Sequence, residues 1–373
     1  MYEDILVSVV MPVHNTKEDY LRPAIDSILN QTHNNLEVII VDDYSDKICC
    51  EILGEYADRD SRIRIIRNRE NLGITKSLNR GIDECHGQYV ARMDADDISL
   101  PHRIERQVEY LENHSDIDVL ACGANVYIEG DEVYRGNIYH VDPNRLRHQF
   151  PGIYRKFSTA KERVHLSYGN IEFTHPTVVY RKSFLDRYNI WYDESLPKAQ
   201  DYGMWVTCSK ITQMDCLQEC LFISRVNSDM SGVKASKQQI ECSKVTKCSC
   251  LGALIEDASD TEKDIYSHFR DMELYGTVSE NVALIDKLVN ANSDKQVYPV
   301  SIYEKEISFW WYRKGHYTCN KCAKQEMLGA TVVRRLLRKY LFLSLVDYAL
   351  DQIYARYVSY EWYYRLSKEL TDI

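Results

Sequence analysis

Two kinds of hydrophobic run alternate along the first hundred residues. Leu6–Met11 (LVSVVM) is almost continuously apolar and β-branched, the pattern of a strand buried on both faces. Pro12 and Asn15 then mark a turn, and Leu21, Ile25, Ile28 and Leu29 recur at helical spacing across Tyr20–Leu29. The same pair of signals repeats: strand Leu36–Val41 closing at Asp42 and Asp43, helix Ile48–Tyr56, strand Ile63–Ile66. A loop with Asn71 and Gly73 leads into a helix over Lys76–Cys85, interrupted by Gly87. Strand Tyr89–Met93 then runs directly into Asp94–Asp97. This alternation predicts an α/β fold, a doubly wound and mostly parallel sheet flanked by helices. Right-handed crossovers bring the strand C-termini to one edge, where ligands bind in such sheets. Every loop named above belongs to that edge.

Farther on, the pattern predicts a helix at Arg103–Leu111 and a strand at Val119–Tyr127, and then the rhythm breaks. Polar and aromatic residues mix without a period from Gly130 to Phe173, which reads as loops and short elements. A second ordered stretch spans His175–Leu185, a helix follows over Tyr202–Lys210, and beyond Ser236 the chain reads as helical.

Composition narrows the possibilities. With 46 basic residues against 56 acidic ones, the net charge of −10 speaks against a nucleic-acid binder. A 45% hydrophobic, 27% charged chain of 373 residues can bury a sizeable core. No apolar run approaches the ~18 residues of a membrane span. Tyr2, Glu3 and Asp4 stand where a secretory signal would be basic. A soluble cytoplasmic protein is expected, its 12 cysteines reduced and packed as small hydrophobes.

Against that background, Asp94-Ala95-Asp96-Asp97 is the first candidate for chemistry. Carboxylates one residue apart at a strand end can converge on a hard cation such as Mg²⁺ or Mn²⁺. The pattern is weak by itself, since Asp58–Asp60 and Asp116–Asp118 share it in segments that read as turns. A cap for a helix starting near Pro101, with Ser99 as another cap candidate, is the competing reading. Only Asp94–Asp97 follows a buried strand on the ligand edge. Asp42 and Asp43 also end a strand there, where a carboxylate can bind a nucleoside or simply build a turn. Both usual glycine-rich phosphate motifs are missing, which favours metal-assisted binding of a diphosphate.

These residues fall into longer motifs. VSVVMPVHN (Val7–Asn15), QTHNNLEVIIVDDYSD (Gln31–Asp46), NLGITKSLNRGI (Asn71–Ile82) and GQYVARMDADDISLPHRIERQ (Gly87–Gln107) resemble the N-terminal half of family 2 glycosyltransferases. FTHPTVVYRKSFL (Phe173–Leu185) and AQDYGMWV (Ala199–Val206) resemble the acceptor-side motifs of that family, of the bacterial surface-polysaccharide type. The resemblance implies a GT-A fold over residues 1–235, with a nucleotide-sugar half at 1–125 and an acceptor half at 126–235. Residues 236–373 would be a helical C-terminal region. It implies an inverting transfer of one sugar from a UDP-sugar, UDP-glucose or UDP-galactose by family prevalence. The acceptor would be a saccharide, lipid-linked, in O-antigen or capsule assembly at the cytoplasmic face of the inner membrane.

Carried over by position, Pro12, His14 and Asn15 would line the nucleotide pocket and Asp43 would hold the base. Asn71, Lys76 and Arg92 would approach the nucleotide, and Asp94 the ribose. Asp96 and Asp97 would ligate the metal. Asp201 stands at the position of the catalytic base, and His175 flanks the reacting sugar. Read without the family, Asp201 would be the N-cap of a helix from Tyr202, and His175 either a site residue or a core or loop histidine. One departure from the pattern is Asn227, where relatives often carry His. A sugar-1-phosphate nucleotidyltransferase would need a glycine- and basic-rich loop in place of Pro12–Lys17. A non-catalytic carbohydrate-binding or scaffold protein would have no use for the intact acidic set.

Two weaker features remain. Cys319, Cys322 and His316 resemble half of a zinc site with no second pair to complete it, and Cys248 and Cys250 are too close for good ligand geometry. In Thr331–Tyr357, Arg334, Arg335, Arg338 and Lys339 precede an apolar run. Such a helix either seats on an anionic membrane or packs on the protein.

Overall fold

The computed structural model describes residues 2–128, 159–171, 173–226, 237–271 and 274–317, together with 332, 335, 336, 339 and 340. The first seven regular elements follow the sequence pattern closely. They are β1 (Val7–Val13), α1 (Glu18–Leu29), β2 (Leu36–Asp42), α2 (Lys47–Arg59), β3 (Ile63–Arg67), α3 (Ile74–Asp83) and β4 (Tyr89–Arg92). β3, β2, β1 and β4 lie side by side and pair in parallel. Apart from Pro12, the residues of β1 are fully buried, as a strand covered on both faces requires. Gly81 lets α3 approach β1 closely, because a Cβ there would lie 2.5 Å from Val10 Cγ1.

Beyond β4 the sheet changes character. β5 (Ile98–Ser99), α4 (Arg103–Asn113) and β6 (Ile117–Ile128) are followed by β7 (Val179–Arg181), α6 (Lys182–Tyr188), α7 (Gln200–Ser209) and β8 (Gln213–Val226). β7 inserts antiparallel between β4 and β6, β8 runs parallel to β6, and β5 closes the edge antiparallel to β8. The parallel expectation therefore holds for the first half, and the whole is a mixed sheet of eight strands among the described residues. Ser99, expected as a helix cap, is a strand residue paired with Phe222, and His102 occupies the N-cap of α4.

The described residues fall into two compact units. The first holds residues 2–128 and 173–226. The second holds 159–171 and the described residues from 237 onward. Within the expected loop region lies a helix, α5 (Thr159–Tyr168), and it belongs to the second unit. There it joins α8 (Lys237–Leu254), α9 (Asp260–Ser267), α10 (Val278–Lys295) and α11 (Val300–Tyr317). Val164 and Tyr168 of α5 enter the apolar cluster of that unit. On the same helix His165 lies between Glu162 (Nδ1 to Oε2, 3.1 Å) and Glu306 of α11 (Nε2 to Oε2, 2.7 Å). Burial alone would lower the His165 pKa, but the two carboxylates outweigh it and raise it. Val332, Leu336 and Tyr340 are buried in the same cluster, and Lys339 Nζ is 3.0 Å from Glu304. Arg334, Arg338, Cys319, Cys322 and Asn227 lie outside the described residues, as does the side chain of His316. Among the described residues, no helix is long and apolar enough to cross a membrane.

Candidate active site

The site is assembled where β1, β2 and β4 end. Pro12 is half-buried and pairs with Val41 inside the sheet, while His14 and Asn15 follow it and are exposed. Asn15 adopts φ 49°, a left-handed conformation that asparagine tolerates well. Its Oδ1 accepts the Asp46 N–H at 2.8 Å and its own N–H donates to Ser45 Oγ at 3.1 Å. The turns after β1 and β2 are thereby tied together. His14 Nδ1 is 2.8 Å from the Asp43 carbonyl oxygen, which can only accept, so Nδ1 carries the proton. Nε2 is left to accept from Asn71 Nδ2 at 3.0 Å.

Asp43 itself is buried, and its carboxylate accepts three hydrogen bonds: Asn68 Nδ2 at 2.7 Å, Leu72 N–H at 2.7 Å and Gly73 N–H at 2.8 Å. Gly73 is the N-cap of α3 with φ 83°, a conformation that favours glycine. A carboxylate offers about four lone-pair sites, so most of the Asp43 capacity goes into holding this loop and Asn71 within it. Lys76 follows in the first turn of α3, exposed and without a hydrogen bond or ion pair among the described residues.

A second acidic group stands after β4. Arg92 is 3% exposed and its Nη2 lies 2.5 Å from Asp94 Oδ1. Its Nε and Nη1 are buried without a hydrogen-bond partner among the described residues. Such N–H groups cost about 1–3 kcal/mol each when unpaired, so they suit an anionic or hydroxyl-bearing ligand. Arg103, fully buried, braces the strand end by donating to the Arg92 carbonyl at 2.8 Å.

Asp94, Asp96 and Asp97 each turn one oxygen to within 4.8 Å of the others. Asp97 accepts the Arg225 backbone N–H at 2.7 Å and the Ser224 hydroxyl at 3.4 Å, so β8 fixes its orientation. Burial, and then the Asp94 charge, raise the Asp96 pKa to about 6. Burial, and then Asp94 and Asp96, push Asp97 well above the carboxylate range. Three hard oxygen donors that repel one another fit a divalent cation, with Asp94 joining the expected pair Asp96 and Asp97. The other two D-x-D pairs are used locally: Asp60 binds Arg62, and Asp118 accepts from Thr212.

On the acceptor side, Asp201 lies in the first turn of α7 (Gln200–Ser209). The N-cap is Ala199, not Asp201, because the helix starts earlier than its hydrophobic pattern suggests. His175 opens a single 3₁₀ turn, and its Nε2 is 2.7 Å from Tyr192 Oη. The imidazole meets the rings of Tyr192 and Trp205 edge-on. Burial, and then the nearby Arg92 charge, hold His175 well below the usual imidazole range, so it is neutral at physiological pH. Burial raises Tyr192, with Arg92 opposing and Asp201 adding to the shift, so both charges act on one hydroxyl. Sequence reasoning missed Tyr192, Tyr180 and the anchoring roles of Ser224 and Arg225.

The family model for glycosyl transferase family 2 matches residues 8–188. An uncharacterized glycosyltransferase of Methanocaldococcus jannaschii is 35% identical over 242 residues, covering 63% of this chain and 76% of the relative. The O-antigen biosynthesis glycosyltransferase WbnJ of Escherichia coli is 29% identical over 244 residues, 64% of this chain and 85% of the relative. Among solved structures, S. aureus TarS 1–349 in complex with UDP-GlcNAc superposes with a TM-score of 0.53 at 18% identity, covering 90% of this chain and 92% of that one.

Proposed function

Since the chain belongs to glycosyl transferase family 2, we propose that it moves one hexose from a UDP-sugar to a saccharide acceptor with inversion. The observation that carries this reading is the convergence of Asp94, Asp96, Asp97 and the unpaired Arg92 N–H groups at the end of β4. His14 and Asn15 after β1, Asn71 on the loop that Asp43 holds in place, and Lys76 at the start of α3 border the nucleotide. Arg92 meets the diphosphate or the sugar with its free N–H groups, and Asp94 keeps that guanidinium oriented. Asp96 and Asp97, with Asp94, would hold Mg²⁺ or Mn²⁺, which supplies positive charge to the departing diphosphate.

Asp201 takes the proton of the acceptor hydroxyl as it attacks the anomeric carbon. No covalent intermediate is needed, so one carboxylate suffices. UDP-glucose and UDP-galactose are the donors of choice in this reading. The acceptor is a lipid-linked oligosaccharide of O-antigen or capsule assembly, presented at the cytoplasmic face of the inner membrane; the likeness to WbnJ supports it. A panel of UDP-sugars screened for UDP release identifies the donor.

The test of the base is Asp201→Asn. Turnover should fall by about two to four orders of magnitude while UDP affinity and melting temperature stay near the parent values. Near-native turnover would remove Asp201 from the mechanism.

A further inference from the structure

Beneath the acceptor side runs a short chain of hydroxyls. Tyr180 Oη lies 3.0 Å from Tyr192 Oη, and Tyr192 Oη lies 2.7 Å from His175 Nε2. Both phenols are held in place. Tyr180 belongs to β7 in the interior of the sheet, opposite Val90 and Val119. Tyr192 is clamped at its backbone by Asn79 of α3, which donates to its carbonyl and accepts its N–H, each at 2.9 Å. Tyr180 is 1% and Tyr192 2% exposed, so water does not complete their hydrogen bonding.

The direction of the chain follows from counting donors. Tyr180 has one O–H proton, and among the described residues its only hydrogen-bond partner is Tyr192 Oη. If Tyr192 donated to Tyr180, the Tyr180 proton would be buried with no acceptor, a costly arrangement. Tyr180 therefore donates to Tyr192, and Tyr192 spends its own proton on the remaining acceptor, His175 Nε2. An Nε2 that accepts leaves the proton of a neutral imidazole on Nδ1. Among the described residues, no hydrogen bond occupies that nitrogen.

We propose that Tyr180 and Tyr192 are positioning residues that lock His175 in its neutral Nδ1–H tautomer, making it a hydrogen-bond donor to an oxygen of the sugar substrate. The buried Arg92 guanidinium, whose charge reaches His175, disfavours imidazolium and supports the neutral form. Proton acceptance then falls to Asp201 alone. The identity of the ligand rests on the transferase reading above, whereas the tautomer does not.

The full-length chain labelled with ¹⁵N-histidine should show, at pH 7, a His175 signal with Nδ1 protonated and Nε2 bare, assigned by its loss in His175→Gln. Tyr192→Phe removes the one hydrogen-bond donor to Nε2 among the described residues, so His175 should become a mixture of tautomers. Tyr180→Phe leaves the Tyr192 proton with Nε2 as its acceptor, so the tautomer should persist while the Tyr192 hydroxyl loses one of its two anchors. In the transfer assay Tyr192→Phe should lower kcat about five- to tenfold at unchanged donor KM. A protonated Nε2 or an imidazolium in the parent at pH 7 would overturn the proposal, as would a single unchanged tautomer in Tyr192→Phe. Should that variant fail to fold, the parent spectrum still decides. If the tautomer is found but no UDP-sugar in the panel is consumed, the transferase reading fails and the relay stands.

Discussion

Two acidic stations flank β1 on the same sheet edge, and they are built in opposite ways. After β2, the Asp43 carboxylate receives three N–H donors and is finished by the fold itself. After β4, Asp96 and Asp97 face Asp94 and one another, with raised pKa values and few donors to quiet them. A carboxyl whose folded pKa is raised destabilises the fold once pH exceeds its unfolded value near 4. The first station adds stability through its three hydrogen bonds, and the second subtracts stability at neutral pH. Equivalent positions on one edge are a scaffold and the proposed cation site because satisfaction was completed at one and withheld at the other.

The largest expected effect tests the second station. Asp96→Asn should lower transfer at least about 100-fold, roughly the loss of one preorganised electrostatic partner of the transition state. The same change removes a repelled charge, so the melting temperature of the metal-free protein should hold or rise. Chelation with EDTA should silence the parent in the same assay. Full activity of Asp96→Asn in EDTA would end the cation assignment. The first station should respond in reverse. Asp43→Ala strips the acceptor from Leu72, Gly73 and Asn68 and should cost about 2–4 kcal/mol in urea unfolding, with weaker UDP binding as a result. An unfolding midpoint equal to that of the parent would show that Asp43 does not hold the loop. The smallest effect lies one turn away, where Asp46 caps α2 through Cys49 N–H. Asp46→Ala should cost about 1 kcal/mol and Asp46→Asn almost nothing, with transfer intact in both. A kinetic defect in either would extend the site to residues read here as structural.

The finished half of this contrast was readable in the sequence, and the unfinished half only in outline. Strands β1, β2 and β4 appear as largely apolar runs because both of their faces are buried, whereas β3 is an edge strand of mixed burial, and Asp43 and Asp94–Asp97 stand where the runs of β2 and β4 stop. β8 escaped because its register against β6 shifts around Cys122 and Gly123, which breaks any simple alternation. With it went the anchoring of Asp97 by Arg225 and Ser224. β5 is two residues long and exists only through its pairing with β8. α5 was hidden for a different reason: its buried face carries Glu162 and His165, so no apolar stripe advertises a helix. The relay beneath His175 had no signal either, since nothing distinguishes Tyr180 and Tyr192 among 28 tyrosines.

The placement of α5 also sets an order of events during synthesis. The helix leaves the ribosome before β7 and β8, yet its partners Glu306, Leu251 and Phe269 are made only after β8. Until then Val164, Tyr168 and the Glu162–His165 pair lack the surfaces that bury them. The helical unit is therefore not a detachable appendage: a chain stopped after β8 would keep one of its helices and lose everything that helix was made to fit.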